Sequence, residues 1–280
     1  MLGQHPEVYS VPEINLFCRG TIRDFLRYAV GHWHFMLHGL WRCVAQLYAG
    51  EQTMETVEMA RRWVQARVDR TTQEVYEELC RKVAPLRICD KSPAYAKNTH
   101  AMARMKKGFP DAYYIYMTRH PREQGKSVLG APQALATLIA SDSIDYEVQP
   151  PVLDPQFVWY ETQVKVLNFL SGIPPERQYR IRGELILAEA EKQLEKICGW
   201  LGLAWSQEIY AAMCKTEDGV YANMGPYGCM WGNNPGFQKS PAFRPSKEKS
   251  STLEGPLPWR RDQRPFHPEV AELARELGYR

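Results

Sequence analysis

One segment carries the sharpest chemical pattern in the chain: Thr118-Arg119-His120-Pro121-Arg122-Glu123-Gln124-Gly125-Lys126-Ser127. Arg119 follows Ala112 to Met117, an aromatic and β-branched run that predicts a strand. Pro121 stands where a helix can begin. Ser127 lies eight residues beyond Arg119, inside that helix. An arginine at a strand's C-terminal edge and a serine on the next helix can meet on one phosphate. The first offers a fork of donors, the second a hydroxyl. Taken alone, the pattern fits a surface arginine and a helix serine equally well. The tail Gly125-Lys126-Ser127 imitates the end of a nucleotide-binding P-loop. A true P-loop needs glycine at position 120, where His120 stands, and a row of backbone amides, where Pro121 has none. Glu123 would also aim negative charge at the phosphate, so a nucleoside-triphosphatase is disfavoured. His34 and His38 are four apart, a spacing that can pair metal ligands. The metalloprotease pattern needs Glu at position 35, where Phe35 stands, and partly buried helix histidines are the favoured reading.

The elements that would position these groups alternate between strand and helix. Val8 to Val11 reads as a short strand. Thr21 to Tyr48 is helix-rich, with Gly31 and Gly39 as breaks. Thr71-Thr72-Gln73-Glu74 is a capping box opening a helix to about Val83. Leu86 to Cys89 reads as a strand ending at Asp90. Tyr95 to Lys107 reads as a helix closing at Gly108. Gly130 to Asp154 is polar and proline-marked, a surface insertion or lid. Phe157, Tyr160, Val164, Leu167 and Leu170 fall on one helix face. Tyr179 to Arg182 is a strand, and Leu187 to Leu201 a second amphipathic helix capped by Gly202. Such alternation predicts a parallel sheet with helices on both faces.

The composition bounds the function. The 280 residues carry 35 Lys and Arg against 32 Asp and Glu, a net charge of +3. That is too balanced to point to nucleic acid. No apolar run is long enough for a transmembrane helix, and the N-terminus lacks the basic and apolar regions of a signal peptide. Seven cysteines, an odd number with no CxxC pair, fit buried thiols in a reducing compartment and a cytoplasmic location. From Thr216 to Pro265, 13 of 50 residues are Gly or Pro, against 26 of 230 elsewhere. That segment reads as a long loop, with Trp231, Phe237, Phe243 and Trp259 packing it onto the domain. A short helix follows at Pro268 to Gly278. The whole chain, 1–280, is read as one domain.

Four collinear blocks give the chain a family resemblance. Phe109-Pro110-Asp111-Ala112, a strand, Arg119-His120-Pro121 and then Ser127 resemble the 3′-phosphate-binding motif of PAPS-dependent sulfotransferases. His5-Pro6-Glu7-Val8 followed by Pro12-Glu13 resembles the segment after that family's first helix. Asp90-Lys91-Ser92-Pro93 resembles its second strand and turn. Tyr179 to Leu203 resembles its strand, acidic residue, long helix and W-L-G-L region. The ending Glu276-Leu277-Gly278-Tyr279 is similar to that of bacterial members. The chain departs from the family in two places. It contains no G-x-x-R-S-G-T-T phosphosulfate loop, so it is expected to lack the first strand and that loop, as a truncated chain would. It also has Gly183 before Glu184, where the family usually has tyrosine.

The resemblance implies an α/β, P-loop-NTPase-like fold and transfer of a sulfuryl group from PAPS, leaving PAP, to a hydroxyl acceptor without a metal. The acceptor would be a small molecule or a peptide tyrosine, with no nucleic-acid or membrane partner. Arg119 and Ser127 would hold the 3′-phosphate. Lys91 matches the family's lysine in a K-x-P turn and would stabilise the transferring charge. Glu13 matches the glutamate of the tyrosylprotein branch and would act as base. Lys239 or Arg244 would close over the 3′-phosphate as late-loop basic residues do in the family; otherwise they belong to a solvated loop. The alternative is a PAP-binding or scaffold protein that has lost catalysis.

Overall fold

The computed structural model describes residues 1–131, 134–246 and 251–280. Pro132 and Gln133 of the expected insertion, and Lys247 to Ser250 of the Gly/Pro-rich segment, lie outside the described residues. The elements run β1 (Val8–Val11), α1 (Ile22–Tyr28), α2 (His38–Ala49), α3 (Met54–Gln65), α4 (Thr72–Val83), β2 (Arg87–Asp90), α5 (Thr99–Gly108), β3 (Tyr114–Thr118) and α6 (Pro121–Leu129). They continue with α7 (Ala134–Ala140), β4 (Ile144–Asp145), β5 (Val152–Leu153), α8 (Pro155–Leu170), β6 (Gln178–Arg182), α9 (Gly183–Ala188), α10 (Ala190–Leu201), α11 (Gln207–Cys214), α12 (Pro235–Lys239) and α13 (Pro268–Glu276). They form two compact units: Met1–Ala112 with Glu191–Arg244, and Tyr113–Ala190 with Pro245–Arg280.

In the first unit β1 and β2 pair in parallel, Val8 opposite Arg87 and Val11 opposite Asp90. Side chains alternate across a strand, so each face needs its own cover. Val11 and Tyr9 pack into a core with α1 to α4, built on Ile14, Phe25, Leu40, Val44, Val75 and Leu79. Val8 and Cys89 point the other way, into a smaller core with Leu194, Cys198, Leu203 and Met213. The expected cover on both faces is therefore present around this pair. The capping box at Thr71 is formed: its hydroxyl accepts the Glu74 amide and the Glu74 carboxylate accepts the Thr71 amide. Gly202, at φ 65°, ends α10 as a left-handed cap.

Three boundaries differ from expectation. Gly39 does not break a helix; it lies within α2, and only Gly31, at φ 55°, marks a change of course, into a 3-10 turn. The helix expected from Tyr95 begins at Thr99, because the Asn98 side chain accepts the Ala101 amide and caps it there. The helix expected over Leu187 to Leu201 is interrupted at Glu189, which leaves helical backbone geometry at φ −131°. All seven cysteines are free. No helix among the described residues is long and apolar enough to cross a membrane.

In the second unit β3 and β6 pair in parallel, Tyr114 opposite Gln178 and Thr118 opposite Arg182. Tyr116, Trp159, Leu170, Leu257, Phe266, Val270 and Ala274 form its core. The Gly130 to Asp154 segment holds α7 and the small antiparallel pair β4–β5. A buried arginine ties that pair down. Arg260 donates to Asp154 at 2.6 Å, to Asp145 at 2.7 Å and to Asp262 at 2.7 Å and 2.9 Å. These bonds raise the Arg260 pKa and hold the Asp262 carboxyl down at about 2. Trp259 Nε1 adds a bond to Asp154 at 2.9 Å. Gly125 is explained here too: a Cβ at that position would meet the Trp259 ring at 2.6 Å, so the glycine serves packing. Removing one member of a buried ion cluster strands the others without compensation. Arg260→Ala is therefore expected to cost about 3–5 kcal/mol, read as a lowered urea midpoint.

Candidate active site

Glu13 and Lys91 follow the C-terminal ends of the adjacent parallel strands β1 and β2. Open α/β sheets present their ligand-binding loops at this end. The two side chains meet: Lys91 Nζ donates to Glu13 Oε1 and lies 3.4 Å from Asn233 Oδ1. The pair stays reachable from solvent, with 57% of the Lys91 side chain and 24% of the Glu13 side chain exposed.

Both backbones are fixed more tightly than the side chains. The Glu13 amide donates to Gly232 O at 2.6 Å. The Glu13 carbonyl accepts Asn15 Nδ2 at 2.9 Å, and the same amide group donates to Met36 O at 3.2 Å. Asn15 sits at φ 54°, a left-handed conformation that asparagine tolerates better than most residues. Its own amide donates to Ser92 Oγ at 3.2 Å. Ser92 Oγ donates in turn to Asp90 Oδ1 at 2.6 Å, and the Tyr95 hydroxyl donates to Asp90 Oδ2 at 2.9 Å. Burial is the chief cause that lifts the Asp90 pKa to about 6; the bonds from Ser92 and Tyr95 oppose it, and the Glu13 charge adds to it.

The first turns of α2 hold the late loop against this site. Arg42 is 1% exposed and its guanidinium donates to the carbonyls of Asn223 at 2.8 Å, Trp231 at 3.2 Å and Met230 at 3.4 Å. Its Nε donates to Gln52 Oε1 at 2.7 Å. His38 Nδ1 accepts the Trp231 amide at 3.3 Å. That bond needs the neutral ring, and burial, first among several causes, lowers the His38 pKa to about 4. His38 is thus occupied with the loop. Among the described residues no group of three or more metal-ligating side chains gathers. Gly39 lies between these two anchors, and a Cβ there would stand 2.1 Å from the Glu13 carbonyl oxygen. Gly232, at φ 119°, is confined too: a Cβ there would stand 2.9 Å from Gly39 Cα.

The second unit holds Arg119 and Ser127, both exposed. Arg119 stands one residue beyond β3, its carbonyl accepting Trp159 Nε1 at 3.0 Å. His120 caps α6 through Nδ1, which accepts the Arg122 amide at 3.1 Å. The His120 amide donates to Glu184 Oε1 at 2.9 Å, and Glu184 Oε2 accepts the Tyr279 hydroxyl at 3.3 Å. Glu184 therefore ties the end of β6 to the start of α6. Glu123 is engaged by Lys126 at 2.9 Å and by Ser251 at 2.9 Å, which hold its carboxyl below the usual range. Lys126, so paired, is not poised as a P-loop lysine.

Lys239 and Arg244 are exposed in the first unit. Lys239 ends α12, and Arg244 Nη2 donates to Ser240 Oγ at 2.7 Å. The late loop reaches the Glu13–Lys91 pair instead through Gly232 and Asn233, which sequence reasoning did not single out. Asp90, Ser92, Asn15, Gly39 and Arg42 were also missed as parts of the site. The run of Gly and Pro was the one available signal that this loop is shaped by close contact.

A carboxylate and an ammonium meet at neighbouring strand ends in the first unit, and an exposed Arg and Ser follow a strand in the second. The chain belongs to the sulfotransferase family, whose model matches residues 1–207. Its fold is shared by a sulfotransferase domain from the curacin biosynthetic pathway, at 23% identity and TM-score 0.75, over 100% of this chain and 91% of that one. It is likewise similar to the sulfotransferase domain of the Synechococcus PCC 7002 olefin synthase, at 21% identity and TM-score 0.70, over 100% of this chain and 88% of that one. No curated protein matches the chain significantly.

Gly39→Ala should separate α2 from the Glu13 loop, because a Cβ only 2.1 Å from the Glu13 carbonyl oxygen meets backbone rather than a flexible side chain. The expected cost is about 1–3 kcal/mol, the usual range for overpacking, seen in urea unfolding. The Glu13 and Gly232 amides should lose protection from hydrogen exchange. Unchanged stability with unchanged protection would show that α2 does not constrain Glu13.

Proposed function

We propose that the chain transfers a sulfuryl group from PAPS to a hydroxyl acceptor. The observation that carries this reading is the meeting of Glu13 and Lys91 at the ends of β1 and β2 in a member of the sulfotransferase family. Glu13 takes the acceptor's proton as its oxygen bonds to sulfur. Lys91 neutralises the charge that builds on the bridging oxygen as the old sulfur–oxygen bond breaks. An exposed ion pair is worth only about 0–1 kcal/mol, so substrates can part Glu13 and Lys91 at little cost. Arg119 and Ser127 supply a forked cation and a hydroxyl for the 3′-phosphate of the nucleotide. Lys239 and Arg244 offer further cationic cover from the late loop. PAPS supplies the activated sulfuryl group, and no residue is required to bind a metal. The acceptor is a small hydroxyl compound or a peptide tyrosine. Seven unpaired cysteines support a cytoplasmic setting.

Incubation with radiolabelled PAPS and a panel of phenols, alcohols and tyrosyl peptides tests the reading directly. Label is expected to pass to at least one acceptor. Binding of PAP with no transfer to any acceptor would favour a nucleotide-binding scaffold instead. Arg119→Ala should weaken PAP binding by about 1.5–3 kcal/mol, the loss of one charge-assisted, forked contact. Calorimetry finding parent-like PAP affinity would remove Arg119 from the site.

A further inference from the structure

Between β2 and the Glu13 loop runs a continuous chain of hydrogen bonds: Tyr95 hydroxyl to Asp90, Ser92 hydroxyl to Asp90, Asn15 amide to Ser92. Asp90 directly precedes Lys91, and Asn15 lies two residues beyond Glu13. Ser92 is 6% exposed and Tyr95 is 6% exposed, so neither hydroxyl is presented to a substrate. Both hydroxyls point inward, one to each oxygen of a single carboxylate. Donors to an ionised carboxylate make stronger bonds than neutral pairs do. Ser92 spends its proton on Asp90, which leaves its oxygen lone pairs to accept the Asn15 amide. The carboxylate thus sets the polarity of the whole chain of bonds.

We propose that Asp90 is a positioning residue for the Glu13–Lys91 pair: by gripping Ser92 and Tyr95 it fixes the turn that carries Lys91, and through the Ser92 hydroxyl it pins the loop that carries Glu13. This rests on the sulfuryl-transfer reading of that pair. Asp90 does not touch substrate in this role. It acts through Ser92 and Asn15, and its own charge is costly to the fold.

The cost has a sign that can be measured. The Asp90 pKa is raised from 3.8 to about 6, so the folded chain holds that proton more tightly than the unfolded chain. Its contribution to stability is present below about pH 4 and is lost as pH rises through about 6. The groups that face it are Glu13, Lys91, Cys89, Cys18, Cys43, Tyr76 and Tyr95. Burial holds Cys89 at about 11 and Cys18 and Cys43 at about 12, and lifts Tyr76 and Tyr95 well above 10. Across the acid range the thiols and phenols are therefore neutral, and the charged groups beside Asp90 are Glu13 and Lys91. An isosteric Asp90→Asn keeps the shape, removes the charge, and reverses one of the bonds.

The test compares the full chain with its Asp90→Asn, Ser92→Ala and Lys91→Ala variants. Turnover is followed as label released from PAPS to para-nitrophenol or to water, and PAP affinity and melting temperature are followed beside it. Asp90→Asn and Ser92→Ala are expected to lower kcat on the order of 10-fold to 100-fold, the scale of small misplacements near reacting groups. PAP affinity and the KM for PAPS should stay at parent values. The melting temperature of Asp90→Asn, relative to the parent at each pH, should climb from pH 4 to pH 8. The opposite pH dependence that His38 imposes is common to both proteins and cancels in that difference. A structural residue would lose stability and turnover together at every pH; here the stability difference moves in favour of Asp90→Asn as pH rises while turnover is lost. If Lys91→Ala abolishes turnover while Asp90→Asn and Ser92→Ala both keep the parent kcat, the positioning role is overturned and the sulfuryl-transfer reading stands. The positioning role is also overturned if Asp90→Asn loses the same stability at every pH while kcat falls. If Lys91→Ala itself keeps the parent rate, the reading of the pair falls, and the role of Asp90 falls with it.

Discussion

The candidate active site depends on a side chain that is absent. Helix α2 passes so close to the backbone of Glu13 that a Cβ at Gly39 would stand 2.1 Å from its carbonyl oxygen. That approach lets the same helix turn hold three things at once. His38 takes the Trp231 amide, Gly39 admits the Glu13 loop, and Arg42 gathers the carbonyls of Asn223, Met230 and Trp231. Gly232 and Asn233 are then delivered to Glu13 and Lys91. A buried cation satisfied by carbonyl oxygens gives a rigid loop without a repetitive element, because one guanidinium bonds three carbonyls of the loop at once.

The second unit solves a similar problem with charge of the opposite sign at its centre. Asp154 is fully buried and is met by Arg260, Trp259 and Gln156. This fixes the β4–β5 segment to the stretch that precedes α13. Nearby, Glu184 and His120 lock β6 to α6, so the backbone of Arg119 is held at both neighbours while its side chain is left exposed. In each unit the candidate site side chains stand on backbone that hydrogen bonds have fixed. This is the division of labour expected where a site must grip a substrate and still release it.

Much of the fold was legible in the sequence because its signals are local. The capping box at Thr71, the proline at the start of α6, Gly202 after α10 and the short strand-forming runs of β1, β2, β3 and β6 each state their structure within a few residues. The interruption at Glu189 and the late start of α5 were not legible, since side-chain caps compete with an otherwise helical pattern. Arg119 and Ser127 came into view through their spacing, which the collinear resemblance then favoured, whereas Glu13 and Lys91 came into view through the resemblance alone. Gly39 was read as a break because a close tertiary approach has no local signature. Asn233 and Gly232 lie in a segment without periodicity, and Asp90 looked like the end of a strand. Their roles arise from contacts across 77 to 219 residues of chain, which composition and period do not encode.

In the proposed sulfuryl transfer Glu13 serves as the base. The most direct measurement is the transfer rate from labelled PAPS by Glu13→Gln, taken with PAP binding on the same preparation. The account predicts intact PAP binding and a turnover lower by about 10²–10⁴, the span that a general base supplies. Parent-like turnover alongside normal PAP binding would contradict it.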